Sequence, residues 1–185
     1  MKRIGTICLL IIAMFLTSGC QKKSYLEENA NQTIIEEDEG MNYDELILED
    51  MKNSIVAYRH DTTPGKIVYI SLQEMVEKIE QKDDFAVVFT TSMCGYCQTF
   101  HEIFESYHKN HHVVLYEVVL DYEDATEEEN AAIIHPYFEE FRTTPGIFYV
   151  EAGKKKSYFD TYLYGIDEEI FDLWVQQNQI DRVQD

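Results

Sequence analysis

Residues 85–97 read Phe85-Ala86-Val87-Val88-Phe89-Thr90-Thr91-Ser92-Met93-Cys94-Gly95-Tyr96-Cys97. The first six are apolar or β-branched, as in a strand buried on both faces. Two cysteines follow with two residues between them. From Cys94 to Lys109 the apolar residues Phe100, Ile103, Phe104 and Tyr107 share one face of a helix. The stretch therefore predicts a strand, a short turn and a helix, with Cys94 at the helix start. Helical spacing brings sulfurs so placed within disulfide reach. A helix N-terminus presents unpaired amide hydrogens and the positive end of its dipole, and both favour a thiolate. Cys94 is thus the candidate nucleophile, and Cys97 the candidate that resolves a mixed disulfide.

Outward from this stretch, strands and helices alternate. Lys66 to Ile70 is a short β-branched run after the Thr63-Pro64-Gly65 turn. Ser71 with Glu74 forms a capping box for a helix bearing Leu72, Met75, Val76 and Ile79. Val113 to Leu120 reads as a central parallel strand, and Ala125 to Phe141 as a helix interrupted at Pro136. Ile147 to Val150 and Tyr158 to Tyr164 predict a hairpin turning at Ala152-Gly153, with Lys154-Lys155-Lys156 as its solvated tip. A last helix spans about Asp167 to Asn178 and buries Ile170, Phe171 and Trp174. The order βαβαβ then ββα indicates an α/β fold, a central mixed sheet flanked by helices.

Two other readings of the cysteine pair compete with redox exchange. A zinc site needs about two further ligands. There is no second CxxC, and the adjacent His111-His112 is poorly spaced for one metal. No metal and no cofactor is therefore expected. An inert structural disulfide suits exported chains, but a loop this short removes little chain entropy. The histidines His101 and His108 read as surface positions on the helix after the motif, and His135 as part of a turn.

The chain has 185 residues, 35 acidic against 15 basic, and a net charge of −20. Its 45% hydrophobic fraction is ample for a packed core. A surface this acidic repels phosphate backbones, so nucleic acid is excluded as a partner. It is equally unsuited to electrostatic adsorption on an anionic membrane.

Membrane attachment is instead written at the N-terminus. Lys2 and Arg3 precede an apolar run from Ile4 to Leu16, long enough for a secretory signal and short of the roughly 20 residues of a membrane-spanning helix. The run ends in Leu16-Thr17-Ser18-Gly19-Cys20, which resembles the lipobox of bacterial lipoproteins. The resemblance implies a signal peptide over residues 1–19 and a lipidated Cys20, with Thr17 departing from the usual aliphatic residue. A plain signal peptide containing a cysteine is the alternative. Under the lipobox reading only Cys94 and Cys97 remain as free thiol chemistry. Residues 20–60 then form an acidic tether, centred on Glu36-Glu37-Asp38-Glu39-Gly40, and residues 61–185 the domain. Within the tether, Tyr43, Ile47, Met51, Ile55 and Tyr58 are spaced for an amphipathic helix, although Ser54 to Tyr58 also reads as a strand.

From Lys66 to Ile180 the chain resembles the thioredoxin superfamily. The positions that carry this are Phe85 to Phe89 before the CxxC, Thr144-Pro145 before a strand, and Leu163-Tyr164-Gly165 before the last helix. The resemblance implies a thioredoxin-like fold, with Pro145 cis against the CxxC. It makes Thr144 and Pro145 substrate-positioning residues. Gly95 and Tyr96, inside the motif, are candidate substrate contacts, with covering the disulfide as the alternative role of Tyr96. The lipobox and layout further resemble thioredoxin-like lipoproteins of bacteriocin maturation and transport. The implied activity is thiol–disulfide exchange on exported peptides or proteins, at the extracytoplasmic face of a bacterial membrane, with a redox partner there. The rival is a non-catalytic lipoprotein that uses the scaffold to dock an exporter.

The chain also departs from the family. A buried Asp is usual six residues before the first cysteine, where Val88 stands, and a Trp is usual where Met93 stands. Glu117, however, interrupts the apolar run Val113 to Leu120, and aligning Asp121 with the acidic end of the family's third strand places Glu117 where a Lys often lies behind the active site. Either Glu117 is buried and replaces the missing Asp as proton acceptor for Cys97, or it is solvated at a strand edge. Burial without a partner raises a carboxylate pKa toward neutrality.

Overall fold

The computed structural model describes residues 43–184. The expected signal peptide, Cys8, Cys20 and the expected tether as far as residue 42 lie outside the described residues. Helix α1 (Tyr43–Ser54) is followed by β1 (Lys66–Tyr69), α2 (Leu72–Glu80), β2 (Phe85–Thr90), α3 (Gly95–Tyr107) and β3 (Val114–Val119). A single 3₁₀ turn leads to α4 (Glu127–Ile134), β4 (Gly146–Glu151), β5 (Lys154–Phe159), α5 (Thr161–Tyr164) and α6 (Glu168–Asn178). The strands form one mixed sheet in the order β1-β3-β2-β4-β5. Strands β1, β3 and β2 are parallel, and β4 and β5 continue antiparallel.

Every residue of β2 is buried, and the period of two divides them between two cores. Ala86 and Val88 face Phe100, Phe104, Phe171 and Trp174, on the side of α3 and α6. Phe85, Val87 and Phe89 face Met75, Ile134, Phe138 and Phe148, on the side of α2 and α4. The Ser71–Glu74 capping box starts α2 as expected, and a second one, Thr126 with Glu129, starts α4. Helix α4 ends at Ile134, ahead of Pro136.

Three expectations are corrected. The packed domain begins before residue 61, because Met51 of α1 is buried in the α3–α6 core and Lys52 pairs with Glu169 at 2.9 Å. An apolar helix face cannot stay in solvent beside a core that can cover it. Ser54 to Tyr58 is not a strand; α1 ends at Ser54 and the chain crosses to the C-terminus. The hairpin is shorter and set earlier than Tyr158 to Tyr164. Ala152 and Gly153 both have positive φ, at 51° and 71°, which suits a two-residue turn between right-twisted strands. A Cβ at Gly153 would sit 2.2 Å from the Ile79 carbonyl oxygen, so the turn needs glycine. Lys154 to Lys156 therefore lie inside edge strand β5, where Lys155 pairs with Glu140 and Lys156 with Glu151 at 2.6 Å. Asp160 ends β5 by capping α5, which carries Tyr162 into solvent rather than onto a strand face.

The two ends of the domain are tied at Asp181. This buried carboxylate accepts from Tyr58 Oη at 2.5 Å, and His60 Nδ1 and His111 Nδ1 lie 3.0 and 3.1 Å away. Burial pushes the Asp181 carboxyl up, but the bonds from Tyr58, His60 and His111 outweigh it and hold the group below its ordinary range. A carboxyl so lowered stabilises the fold above the unfolded pKa of about 4, and the contribution fades as the pH falls through the folded value. Asp181→Asn should cost about 2 kcal/mol at pH 7, the scale of bonds to a charged group. Urea unfolding should show the gap narrowing below about pH 4; an equal gap at both pH values would refute this account.

Candidate active site

The turn after β2 delivers both cysteines to the start of α3. Cys94 is the N-cap residue, extended at φ −81°, and its Sγ accepts the Cys97 amide at 3.1 Å. One of the helix's unpaired amides thus points at the sulfur that would carry negative charge. Cys94 and Cys97 are joined as a disulfide, with Cα atoms 5.2 Å apart. The two sulfurs differ in access. Cys97 is buried, whereas Cys94 is partly exposed between the exposed Met93, Gly95 and Tyr96. Only one of them can meet another molecule, which is the asymmetry that nucleophile and resolver require.

The loop is held from both sides. Ser92 donates its amide to Asp121 at 2.9 Å and its hydroxyl to the same carboxylate, tying the CxxC turn to the end of β3. These bonds hold the Asp121 carboxyl below its usual range. Opposite, the Thr144–Pro145 peptide is cis, and the Thr144 carbonyl oxygen lies 3.5 Å from Cys94 Sγ. Thr161 donates to the Pro145 carbonyl at 3.4 Å, joining α5 to the same loop. The structure therefore brings Gly95, Tyr96, Thr144 and Pro145 around Cys94. A cleft of about 670 Å³ runs from Thr91 along Asn130 and Ile134 to Thr144, the residue whose carbonyl approaches Cys94.

Glu117 is buried, at 1% exposure, so the solvated-edge alternative is excluded. Nor is it unpartnered. Thr90 Oγ1 donates to it at 2.6 Å, and His101 Nε2 stands 3.0 Å from each carboxylate oxygen. Glu117 is the Cα partner of Val88, so the acid lies one strand across from the position of the missing Asp.

His101 was expected at the surface and is half-buried instead, because Glu117 beneath α3 offers it a partner. Its hydrogen bond to Glu117 raises its pKa, burial works against that, and the charges of Glu117 and Glu105 add to the rise. The available signal was spacing: His101 follows Cys97 by four residues and shares its helix face. The Ser92–Asp121 tie had no such signal, since it joins segments 29 residues apart. Among the described residues no group of three or more His, Cys, Asp or Glu is placed to hold a metal ion, and no helix is long and apolar enough to cross a membrane.

Comparisons with known proteins follow the same lines. A thioredoxin from Halobacterium salinarum (an N21Q mutant) is 14% identical, covering 67% of this chain and 99% of its own, with a TM-score of 0.46. Thioredoxin O1 from Arabidopsis thaliana, in its oxidized state, is 14% identical over 63% of this chain and 98% of its own, with a TM-score of 0.42. A DsbH oxidoreductase is 14% identical over 60% and 81%, with a TM-score of 0.35. No curated protein sequence matches the chain. A family profile described as a thioredoxin-like domain matches residues 72–164, from the start of α2 to the end of α5. With its mixed sheet, its CxxC at a helix start and its cis-proline loop, this chain belongs to the thioredoxin-like family within the thioredoxin superfamily.

Proposed function

We propose that the protein is a membrane-anchored, extracytoplasmic thiol–disulfide oxidoreductase acting on exported peptides or proteins. The observation that carries the proposal is the asymmetric pair: a partly exposed Cys94 Sγ that caps a helix beside the Thr144 carbonyl, backed by a buried Cys97. In the reduced protein the Cys94 thiolate attacks one sulfur of a substrate disulfide. A Cys94–substrate bond forms, and the other substrate sulfur leaves with the electron pair. Cys97 then gives up its proton and attacks Cys94 Sγ. This forms the Cys94–Cys97 disulfide and releases the second substrate thiol, so two electrons have passed to the substrate. The reverse sequence oxidises a dithiol, and the potential of the pair against its redox partner sets the direction.

Gly95, Tyr96, Thr144 and Pro145 are the substrate-contacting residues of this reading, with the cleft beside them receiving the flanking chain. The lipobox ending at Cys20 supports the extracytoplasmic, lipid-anchored location, and the likeness to bacteriocin-associated lipoproteins adds bacteriocins to the candidate substrates. A purely docking role is disfavoured because it has no use for either cysteine.

Cys97→Ser should accumulate mixed disulfides between Cys94 and exported proteins, visible as reductant-sensitive adducts on non-reducing gels, whereas Cys94→Ser should yield none. Absence of adducts, with the double serine variant fully functional, would replace this reading with docking. For the anchor, Cys20→Ser should abolish incorporation of labelled fatty acid and move the protein from the membrane fraction to the soluble one. Unchanged labelling would remove the lipoprotein assignment.

A further inference from the structure

We infer that His101 carries the proton that Cys97 must lose when it resolves the mixed disulfide, and that Glu117 is the positioning residue that holds the imidazole to that task. The inference deepens the oxidoreductase reading and rests on it.

The geometry has three parts. Cys97 and His101 are four residues apart on α3, which places their side chains one above the other on one face, about 5–6 Å apart at Cβ. Cys97 is buried at 2% exposure, so its thiol has no direct route to bulk water. His101, one turn further along the same face, reaches both environments: its Nε2 faces Glu117 in the interior while its side chain remains 32% exposed. The two Glu117 oxygens are themselves engaged, one by Thr90 and both by His101, so the carboxylate acts through the imidazole. Glu117 lies at the floor of a cleft at the C-terminal end of β1 and β3, also lined by Tyr69, Glu74, Tyr122 and Glu123.

Protonated His101 beside Glu117 is a neutral pair, and unprotonated His101 leaves Glu117 charged but bonded to Thr90. The site can therefore take up and release one proton without stranding an unbonded charge. The charges that His101 feels come from Glu117 on β3 and Glu105 on its own helix, both acidic. The cleft adds Glu74, Glu123 and the phenols Tyr69 and Tyr122, with no cation among its lining residues. The hydrogen bond to Glu117 and the charges of Glu117 and Glu105 together outweigh burial and favour the imidazolium, so proton release from His101 centres above its ordinary value.

In the resolving step the Cys97 S–H proton passes to neutral His101. The sulfur's electron pair forms the bond to Cys94 Sγ, and the Cys94–substrate bond breaks with its pair leaving on the substrate sulfur. His101 then returns its proton to solvent. No further oxidant or reductant is needed.

The test is single-turnover resolution of a Cys94 mixed disulfide with a model peptide, followed from pH 5.5 to 10. In the unaltered protein the rate should rise through an inflection above 6.5 and then level off. In His101→Gln it should fall about 10²-fold at pH 7, the lower end for loss of a general base. It should then climb with thiolate formation until the two proteins converge near pH 10. Glu117→Gln keeps the base but releases it from its partner, so its inflection should move down toward 6.5, and the His101 titration followed by NMR should move with it. A parallel displacement of the whole His101→Gln profile at every pH would mean a structural role only and overturn the inference, as would an unchanged profile. Failure of Cys94 to form the mixed disulfide at all would instead overturn the oxidoreductase reading. His101→Asn serves as the second variant if His101→Gln does not fold.

Discussion

The arrangement around the cysteines depends on the burial of β2. Its six residues are covered on both faces, and each face points at a different core. Phe89 alone meets the rings of Phe138, Phe141 and Phe148 at 5.1–6.0 Å between centroids. Burying one such ring is worth about 1.5–3 kcal/mol. On the opposite face Val88 packs in the core that holds Phe100 and Phe104 of α3. Strand end and helix start are thus both fixed by packing that neither can leave, and the residues between them have little freedom. The position of Cys94 at a helix mouth follows from apolar contacts on either side of it rather than from anything at the cysteine itself.

This is also why the centre of the fold was legible in the sequence and its margins were not. The run Phe85 to Thr90, the spacing of Phe100, Phe104 and Tyr107, and the Ser71–Glu74 box each state a local rule that the packing obeys. Lys154 to Lys156 misled on place rather than on solvation. Lys154 and Lys156 are exposed as three lysines suggest, but they stand in an edge strand, which keeps charged heads in water while the stems lie along the sheet. The N-terminal boundary failed for a related reason. Acidic residues dominate α1, but Ile47, Leu48 and Met51 face α6, and the partner that buries them lies more than 100 residues away. At the site, the motif and its proline could be found locally, while the ties from Ser92 to Asp121 and from His101 to Glu117 run between elements. Pairings of that kind become visible only when register is known.

The acidic excess finds structural use as well as solvation. Asp160, Asp167, Glu74 and Glu129 all accept backbone amides at helix starts, where a negative charge meets the positive end of the dipole. Asp121 accepts the Ser92 amide in the CxxC turn, and Asp181 accepts the Tyr58 hydroxyl where the chain ends meet. These carboxylates hold loops and termini, and the net charge by itself therefore says little about the chemistry at Cys94.

Glu117 is the exception, and its placement follows from Val88. With an apolar residue six positions before Cys94, β2 carries no acid, and the core beneath α3 is sealed at that point. The Cα partner across the ladder is Glu117, one strand away and so about 4.8 Å displaced. A carboxylate there is too deep to remain charged without partners, and Thr90 and His101 supply them. The histidine is the consequential one, because it is a half-exposed base one helical turn beyond the buried thiol. Moving the acid from β2 to β3 therefore does more than relocate a charge. It inserts an imidazole, with a solvent edge of its own, between the acid and the helix that carries the thiol, so that burial of Cys97 and exchange of its proton no longer oppose each other.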